Sequence, residues 1–314
     1  MKTVLVTGVA GFIGSKVADE LINQGYRVVG VDNLSTGRIE VVPSGVIFIE
    51  KDTFSLDLID EISRYEIEAI FHIAGQSSAE VSYKNPVYDM KSNVESTLLL
   101  LNFCVEKNIQ HFIFASSATV YGEQESPLLL TEDIRPEPVS FYAIGKLASE
   151  RYLKLYSKEY GITTTALRLF NVYGPGQNLE NLDQGMVSIF LAQALRNKRV
   201  LVKGDSNRFR DFVFIDDVVK IFVETLGLKK GSNNIFNVCT GVKTTVLEVI
   251  DNIKLNIGEN LPVEYKGATR GDIKGQTGSN EKMINYFEIG KLTSFNEGME
   301  KMVLWAKDYY KHER

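Results

Sequence analysis

The sequence predicts an α/β protein built on a doubly wound parallel sheet, with a smaller mixed α/β lobe in its second half. Short runs rich in β-branched residues alternate with longer helical patterns, which is typical of βαβ units. These runs are apolar throughout, as expected of strands covered by helices on both faces. The alternation becomes irregular after Leu169, and 314 residues are enough for one large or two modest domains. We therefore expect a first lobe over residues 1–169 and about 211–238, and a second lobe over 170–210 and 239–314.

The individual elements follow from the spacing of apolar and turn-forming residues. In the first lobe, the predicted strands are 3–7, 27–31, 46–49, 69–72, 111–115 and 163–169, and the predicted helices are 12–24, 56–65, 87–107 and 142–160. The last two helices are long and amphipathic, which suits an outer face or a dimer interface. Residues 170–183, with Gly174, Pro175 and Gly176, are predicted to form an extended loop. The elements predicted after it are helices 186–197, 218–226, 246–257 and 295–310 and strands 200–203, 212–215, 234–238 and 262–265.

Composition and charge narrow the class of protein. The chain is 44% hydrophobic and 24% charged with a net charge of −5, so it has no overall basic field to attract nucleic acid or an anionic membrane. Its apolar N-terminus is too short to span a bilayer and is interrupted by glycines. Cys104 and Cys239 lie far apart in apolar runs, which indicates buried free thiols in a reducing cytoplasm. The three histidines, His72, His111 and His312, have no metal-ligand spacing, so no metal site is expected.

A glycine-rich turn directly after the first strand predicts a Rossmann-type dinucleotide site. Gly8 permits the tight turn, Gly11 lets the backbone approach a pyrophosphate, and Gly14 lets the helix pack closely on the strand. Phe12 and Ile13 begin the helix, whose free amides would meet the phosphates.

The ends of the next two strands predict which dinucleotide binds. Asp32 ends the second strand, where its carboxylate can accept hydrogen bonds from the adenosine ribose and repel a 2′-phosphate. This favours NAD over NADP, although Arg38 lies nearby. Asn33 belongs to the same turn, and Asp52 follows the third strand, where it can meet the adenine edge.

Three residues predict proton and hydride transfer. Tyr142 and Lys146 are four apart and lie on one helical face. The neighbouring ammonium and the positive nicotinamide of bound NAD⁺ would both favour the phenolate. Lowering a phenol pKa of ~10 by about three units, or roughly 4 kcal/mol, is within the reach of nearby charges. Tyr142 could then take a proton from a substrate hydroxyl while hydride leaves the same carbon. Ser117 ends a strand of the parallel sheet, where functional residues gather, and could bind the oxygen of that carbon.

In combination these motifs resemble the extended short-chain dehydrogenases/reductases that act on nucleotide sugars, the NAD-dependent epimerase/dehydratase family. The resemblance covers nearly the whole chain and is carried by TGVAGFIG at 7–14, DNLSTG at 32–37, HIAG at 72–75, NVEST at 93–97, SSATVYG at 116–122 and YAIGK at 142–146. It implies that NAD is the cofactor, that Lys146 holds the nicotinamide ribose, and that Ala74, Gly75 and Asn93 lie along the cofactor. Gly75 replaces the family's alanine, a change expected to open room beside the cofactor.

The second half of the chain also resembles this family. RLFNVYGP at 168–175, GDSNRFRDF at 204–212 and RGD at 270–272 are similar to segments that bind the diphosphate of the nucleotide. The resemblance implies that Asn171, Arg210 and Arg270 contact the substrate, which suits the planar forks of arginine. Ser78 is placed near the sugar, in a segment where Val81 stands in the position of a common arginine.

The residues after Ser117 indicate which reaction is catalysed. Family members that eliminate water carry an Asp-Glu pair there, and decarboxylases carry the glutamate, whereas this chain has Ala118 and Thr119. The sequence is therefore closest to UDP-glucose (UDP-galactose) 4-epimerases. An NAD(P)H-dependent 4-ketoreductase of a nucleotide-linked 4-keto-6-deoxysugar is the alternative, while intact Ser117, Tyr142 and Lys146 disfavour a catalytically dead relative. The resemblance leaves the choice between UDP-glucose and UDP-N-acetylglucosamine open, and it implies a homodimer formed through helices 87–107 and 142–160.

Overall fold

The structure, a computed structural model, describes residues 1–124, 129–181, 185–267 and 274–312. Its strands are β1 (Thr3–Thr7), β2 (Arg27–Asp32), β3 (Ile47–Glu50), β4 (Ile67–His72), β5 (His111–Ser117), β6 (Thr163–Leu169), β7 (Asn171–Tyr173), β8 (Val200–Val202), β9 (Phe209–Arg210), β10 (Phe212–Phe214), β11 (Asn233–Val238), β12 (Thr244–Thr245) and β13 (Val263–Tyr265). Its α-helices are α1 (Phe12–Asn23), α2 (Leu56–Ile62), α3 (Ala79–Lys84), α4 (Pro86–Met90), α5 (Ser96–Lys107), α6 (Phe141–Tyr160), α7 (Met186–Asn197), α8 (Ile215–Glu224), α9 (Val246–Ile257), α10 (Glu281–Phe287) and α11 (Phe295–His312).

The chain divides into two units. The first contains residues 1–122, 135–169 and 219–236, and the second contains 123–134, 170–218 and 237–314. The lobe boundaries drawn from the sequence differ at 123–134, at 211–218 and at 237–238, and they stay a prediction.

The central sheet has seven strands in the order β11-β6-β5-β4-β1-β2-β3. The strands from β6 to β3 pair in parallel. The order runs outward in both directions from the β1–β4 pair, so the predicted doubly wound sheet is confirmed. In such a sheet the ligand crevice lies at the carboxyl ends of the strands where the order reverses. The ends of β1 and β4, at Thr7 and His72, mark that point.

The strands are buried because helices cover the sheet. Every residue of β1 is buried, and the core joins strand residues such as Val29, Ile70 and Phe112 to helix residues such as Leu101 and Leu153. Such continuous burial explains why the strands show no polar alternation.

Two predictions about secondary structure were wrong. The predicted helix 87–107 is interrupted by a π-helical segment over Lys91–Glu95, between α4 and α5. A single inserted residue of this kind changes the apolar periodicity too little to be read from the sequence, and π segments are frequent at functional sites. The predicted loop 170–183 begins with β7, which pairs in parallel with β10. The glycines and proline after β7 hid this strand of three residues.

The second unit is smaller and mixed, as predicted. β8 pairs with β13 in parallel, and β9 pairs with β12 in an antiparallel manner. Helix α9 starts with a reciprocal capping box between Thr245 and Glu248. No helix in the described ranges is long and apolar enough to cross a membrane.

Candidate active site

The glycine turn between β1 and α1 is sterically restricted to glycine at two positions. Gly8 has a φ of +73°, and a Cβ there would lie 2.8 Å from the Ala74 nitrogen. A Cβ on Gly14 would lie 2.0 Å from the Gly8 carbonyl oxygen. Gly11 is the N-cap of α1 and makes no side-chain hydrogen bond to the first turn. The first amides of α1 therefore point out of a closely packed turn with no side chain capping them, which fits the pyrophosphate of a dinucleotide.

Asp32 is held at the end of β2 by backbone amides. Its two carboxylate oxygens accept hydrogen bonds from the nitrogens of Ala10, at 3.0 Å, and Leu34, at 2.9 Å. Burial raises the pKa of the Asp32 carboxyl, and these backbone hydrogen bonds partly offset the rise. Each oxygen keeps a further acceptor site that suits a ribose hydroxyl. The Asn33 amide donates to the Asp52 carboxylate, so the structure joins these two predicted cofactor residues.

A buried hydrogen-bond chain, which the sequence reasoning missed, fixes the segment after β4. Thr7 Oγ1 accepts from the Ile73 and Ala74 nitrogens, both at 3.1 Å, so its proton is directed to His72 Nδ1, at 2.8 Å. His72 Nε2 then donates to Ser96 Oγ, at 3.2 Å. Burial, with a smaller contribution from the Lys146 charge, lowers the pKa of His72 to about 3, so the ring is neutral. Its role is structural: it ties the ends of β1 and β4 together.

Asn93 lies in the space that Gly75 leaves free. A Cβ on Gly75 would be 2.5 Å from Asn93 Oδ1 and 3.2 Å from Lys146 Nζ. The expectation that this glycine opens room beside the cofactor was therefore wrong, because the Asn93 amide fills that room. Among the residues that the structure describes, Asn93 Oδ1 is buried and has no hydrogen-bond partner. Buried acceptor oxygens are usually hydrogen-bonded, and a bound cofactor could donate the hydrogen bond to Asn93 Oδ1.

The structure brings the three predicted catalytic residues together. Ser140 Oγ accepts from the Ala143 nitrogen and caps α6, which places Tyr142 in the first turn and Lys146 one turn later. Ser117, at the end of β5, interacts with the Tyr142 phenol and lowers its pKa. Lys146 Nζ donates to the Ala115 carbonyl oxygen at 2.9 Å, so α6 and β5 are joined at the site.

The protonation of these side chains differs from what the spacing implied. Burial raises the pKa of Tyr142 to about 12, the hydrogen bond with Ser117 lowers it, and the charge of Asp89 raises it. Burial lowers the pKa of Lys146 to about 8, and Asp89 raises it. Lys146 Nζ lies 5.8 Å from the centre of the Tyr142 ring. Ser117 is therefore the residue that lowers the phenol pKa in this structure, and the contribution expected from the ammonium stays a prediction.

Asp89 is a second residue that the sequence reasoning missed. It is buried, and its Oδ1 accepts from Gln76 Nε2 at 2.6 Å and from Asn93 Nδ2 at 3.2 Å. The four-residue spacing of Asp89 and Asn93 on one helical face was the available signal. Ser78, predicted near the sugar, caps α3 by accepting from the Val81 nitrogen at 3.3 Å.

The second unit contains two further predicted residues. Asn171 Nδ2 donates to the Asp211 carbonyl oxygen at 3.3 Å, and Arg210 Nη1 donates to the Phe209 carbonyl oxygen at 2.7 Å. Burial, together with the charge of Arg208, lowers the pKa of Arg210 to about 10. Two neighbouring guanidinium groups favour an anionic ligand. Arg270 lies outside the described residues.

Comparisons with known proteins agree with this site. The profile of the NAD dependent epimerase/dehydratase family matches residues 4–239. The UDP-glucose 4-epimerase of Mycolicibacterium smegmatis is 34% identical over 305 residues, which are 95% of this chain and 96% of that protein. The crystal structure of Thermotoga maritima UDP-glucose 4-epimerase with UDP-glucose has a TM-score of 0.94 at 34% identity and covers 98% of this chain and 99% of that chain. The crystal structure of Thermus thermophilus UDP-glucose 4-epimerase in complex with NAD has a TM-score of 0.91 at 32% identity. It covers 97% of this chain and 99% of that chain. The chain therefore belongs to the NAD dependent epimerase/dehydratase family.

Proposed function

We propose that this protein is an NAD-dependent nucleotide-sugar 4-epimerase that acts through a transient 4-keto sugar. One observation carries the proposal: Ser117, Tyr142 and Lys146 converge, while Ala118 and Thr119 follow Ser117 where elimination would require carboxylates. The relatives reported above with high coverage are UDP-glucose 4-epimerases, which supports the same reaction.

In the proposed mechanism Tyr142 is the base and then the acid. The phenolate of Tyr142 takes the proton of the sugar 4-hydroxyl and later returns it. Bound NAD supplies the hydride acceptor for C4 and the hydride donor for the other face. The Ser117 hydroxyl binds the oxygen on C4, and Lys146 orients the cofactor ribose. The turn at Gly8, Gly11 and Gly14, with Phe12 and Ile13, would hold the pyrophosphate. Asp32, Asn33, Asp52, Ala74, Gly75 and Asn93 would complete the cofactor site.

The purified protein distinguishes this reaction from the 4-ketoreductase alternative. An epimerase returns the hydride it removes, so UDP-glucose and UDP-galactose should interconvert without added cofactor, as measured by NMR of the products. Tyr142→Phe should abolish the interconversion while NAD still binds. Net consumption of NAD(P)H with a 4-keto sugar would instead identify a reductase, and an active Tyr142→Phe variant would refute the catalytic assignment.

We propose that Ser78, Asn171, Arg210 and Arg270 bind the nucleotide sugar. The proposal rests on the family resemblance and, for Arg210, on a half-buried guanidinium beside the charge of Arg208. Arg210→Met should raise KM for every UDP-sugar by a similar factor, because the diphosphate is common to all of them. An NMR screen with UDP-, dTDP- and GDP-sugars, including UDP-N-acetylglucosamine, would identify the base and the sugar.

We also propose a homodimer formed through α4–α5 and α6. Phe141, Ile144 and Leu155 form an exposed apolar stripe on α6, at 45%, 53% and 51% exposure, and Val87 and Met90 are exposed on α4. Exposed stripes of this kind favour helix pairing between two copies. Ile144→Glu should convert the dimer to a monomer by light scattering. The same change at exposed Leu304 of α11 is the control, and a monomeric wild-type protein would refute the proposal.

A cytoplasmic location is proposed from the cysteines. Cys104 and Cys239 are both free and buried, which suits a reducing compartment. Fractionation of cells that produce the protein would test the location.

A further inference from the structure

Thr119 lies two residues after Ser117, in the 3-10 turn Ala118–Tyr121 that follows β5. Its side-chain hydroxyl donates to Ser117 Oγ at 2.9 Å, and its backbone nitrogen donates to the same oxygen at 3.2 Å. Thr119 is exposed, whereas Ser117 is buried. One residue therefore makes two hydrogen bonds to the catalytic serine and approaches it from the solvent side.

The two hydrogen bonds from Thr119 determine whether the Ser117 hydroxyl can accept or must donate in any further hydrogen bond. A serine hydroxyl has two acceptor sites and one proton to donate. The nitrogen and hydroxyl of Thr119 fill both acceptor sites, so Ser117 can interact with the Tyr142 oxygen only by donating its own proton. A hydroxyl that donates to a phenol oxygen stabilises the phenolate, whereas a hydroxyl that accepts from it would stabilise the neutral phenol. The lowering of the Tyr142 pKa by Ser117 agrees with a serine that donates.

We propose that Thr119 is a positioning residue that directs the proton of Ser117 toward Tyr142. The proposal rests on the proposed function, in which Tyr142 is the base. Hydrogen bonds that follow one another in a chain polarise each other, so donation from Thr119 also makes Ser117 a stronger donor. An ionised carboxylate at position 119 can only accept hydrogen bonds, so it would compete for the serine proton. Threonine at this position therefore suits a reaction that depends on one phenolate.

Thr119→Val tests the proposal because it removes the hydroxyl donor and keeps the shape of the side chain. We expect kcat for UDP-glucose epimerisation to fall about tenfold, which is less than the roughly 10²–10⁴-fold contribution of a group that transfers the proton itself. We expect KM to change less than about twofold, and the acidic limb of the kcat–pH profile to move to higher pH because the phenolate is less stabilised. Thr119→Ser, which keeps a hydroxyl donor, should have the wild-type kcat and the wild-type position of the acidic limb. Thr119→Ala, which removes the same donor, should move the limb in the same direction if the valine variant folds poorly.

A direct titration gives a readout that does not depend on turnover. The ultraviolet absorbance of the Tyr142 phenolate, taken as the difference from Tyr142→Phe, should appear at higher pH in Thr119→Val than in the wild type. Thr225→Val is the matched control, because Thr225 also belongs to the first unit and its hydroxyl donates only to the nearby Phe222 carbonyl oxygen in the described contacts. This variant should leave the phenolate titration unchanged.

The outcomes separate this proposal from the proposed function. If Thr119→Val keeps the wild-type rate and phenolate titration while Tyr142→Phe is inactive, Thr119 is not a positioning residue and the epimerase assignment stands. A loss that is equal at all pH values, a change in KM alone, or no rescue by serine would also overturn the role of Thr119. An active Tyr142→Phe variant would overturn the proposed function itself.

Discussion

Replacing Glu150 with glutamine is expected to destabilise the first unit and to slow catalysis. Glu150 lies on α6, one turn after Lys146, and its carboxylate accepts from Arg168 Nε at 2.9 Å and from Arg168 Nη2 at 2.7 Å. Ser116 Oγ donates to the same carboxylate at 2.6 Å. The Arg168 and Glu150 side chains are only 3% and 2% exposed. The pair therefore joins α6 to the ends of β5 and β6 with little screening by solvent.

The loss of stability can be estimated from the hydrogen bonds and the charge that are lost when an amide replaces the Glu150 carboxylate. Glutamine keeps one oxygen for Ser116, but its NH2 group would face the Arg168 guanidinium, so one charge-assisted hydrogen bond is replaced by two opposed donors. The buried guanidinium then has no counter-charge, a loss that costs about 3–5 kcal/mol in comparable buried pairs. Ser116 precedes Ser117 and Glu150 follows Lys146, so a loosened pair also shifts the catalytic side chains. A displacement of about 1 Å can lower a rate by ~100-fold.

Urea unfolding followed by circular dichroism, together with kcat, measures both effects. Removing both partners, as in Glu150→Met with Arg168→Met, should be less damaging than Glu150→Gln alone, because no unpaired charge remains. Glu68→Gln is the surface control, since Glu68 pairs with Lys2 at 3.0 Å with both side chains largely exposed. If Glu150→Gln unfolds at the same urea concentration as Glu68→Gln, the reasoning from burial is refuted.

Three further changes have expected outcomes. Gly14→Ala should abolish NAD binding in a calorimetric titration, because its Cβ would lie 2.0 Å from the Gly8 carbonyl oxygen, whereas Gly227→Ala, with open space around its Cβ, should bind normally. His72 has a folded pKa of about 3 against 6.5 unfolded, so it remains neutral while the unfolded chain takes up a proton. Stability should fall as pH drops from 6.5 toward 3, by up to about 3–5 kcal/mol, and a His72→Gln variant that keeps the full acid sensitivity of the wild type would contradict this. Asp89→Asn should move both limbs of the kcat–pH profile to lower pH, because the Asp89 charge raises the pKa of Tyr142 and of Lys146. An equal loss of kcat at every pH, with no shift of the limbs, would indicate a purely structural role for Asp89.

The parts of the fold that could be predicted are those set by local rules. Strands β1 and β6 begin and end where the apolar runs do, and α9 spans its predicted range, because burial and capping are encoded within each segment. The glycine turn was predicted for the same reason, since Gly8 has a φ of +73° and a Cβ on Gly14 would meet the Gly8 carbonyl oxygen. The π-helical segment could not be predicted, because its extra residue is accommodated by long-range partners: the Asn93 carbonyl oxygen accepts from Ser149 on α6 as well as from Thr97.

The residue types of the candidate site could be predicted, but their contacts across the fold could not. His72 was predicted to end a strand and to begin the HIAG segment, but its partner Thr7 is 65 residues away in sequence and becomes a neighbour only when β1 and β4 pair. Glu150 and Arg168 are likewise joined by the packing of α6 on the sheet. A sequence gives the spacing along a helix, but the partner on the next strand depends on sheet order and register.

The protonation of the catalytic pair shows why spacing alone is insufficient. Tyr142 and Lys146 lie on one helical face as predicted, yet burial raises the pKa of the phenol and lowers that of the ammonium, so it favours the neutral form of both. Lys146 Nζ lies 5.8 Å from the centre of the Tyr142 ring and donates to the Ala115 carbonyl oxygen. The groups that restore charge lie outside the motif: Ser117 favours the phenolate and Asp89 favours the ammonium. A chain that kept Tyr142 and Lys146 but lost Ser117 would retain the motif and lose the side chain that favours the phenolate.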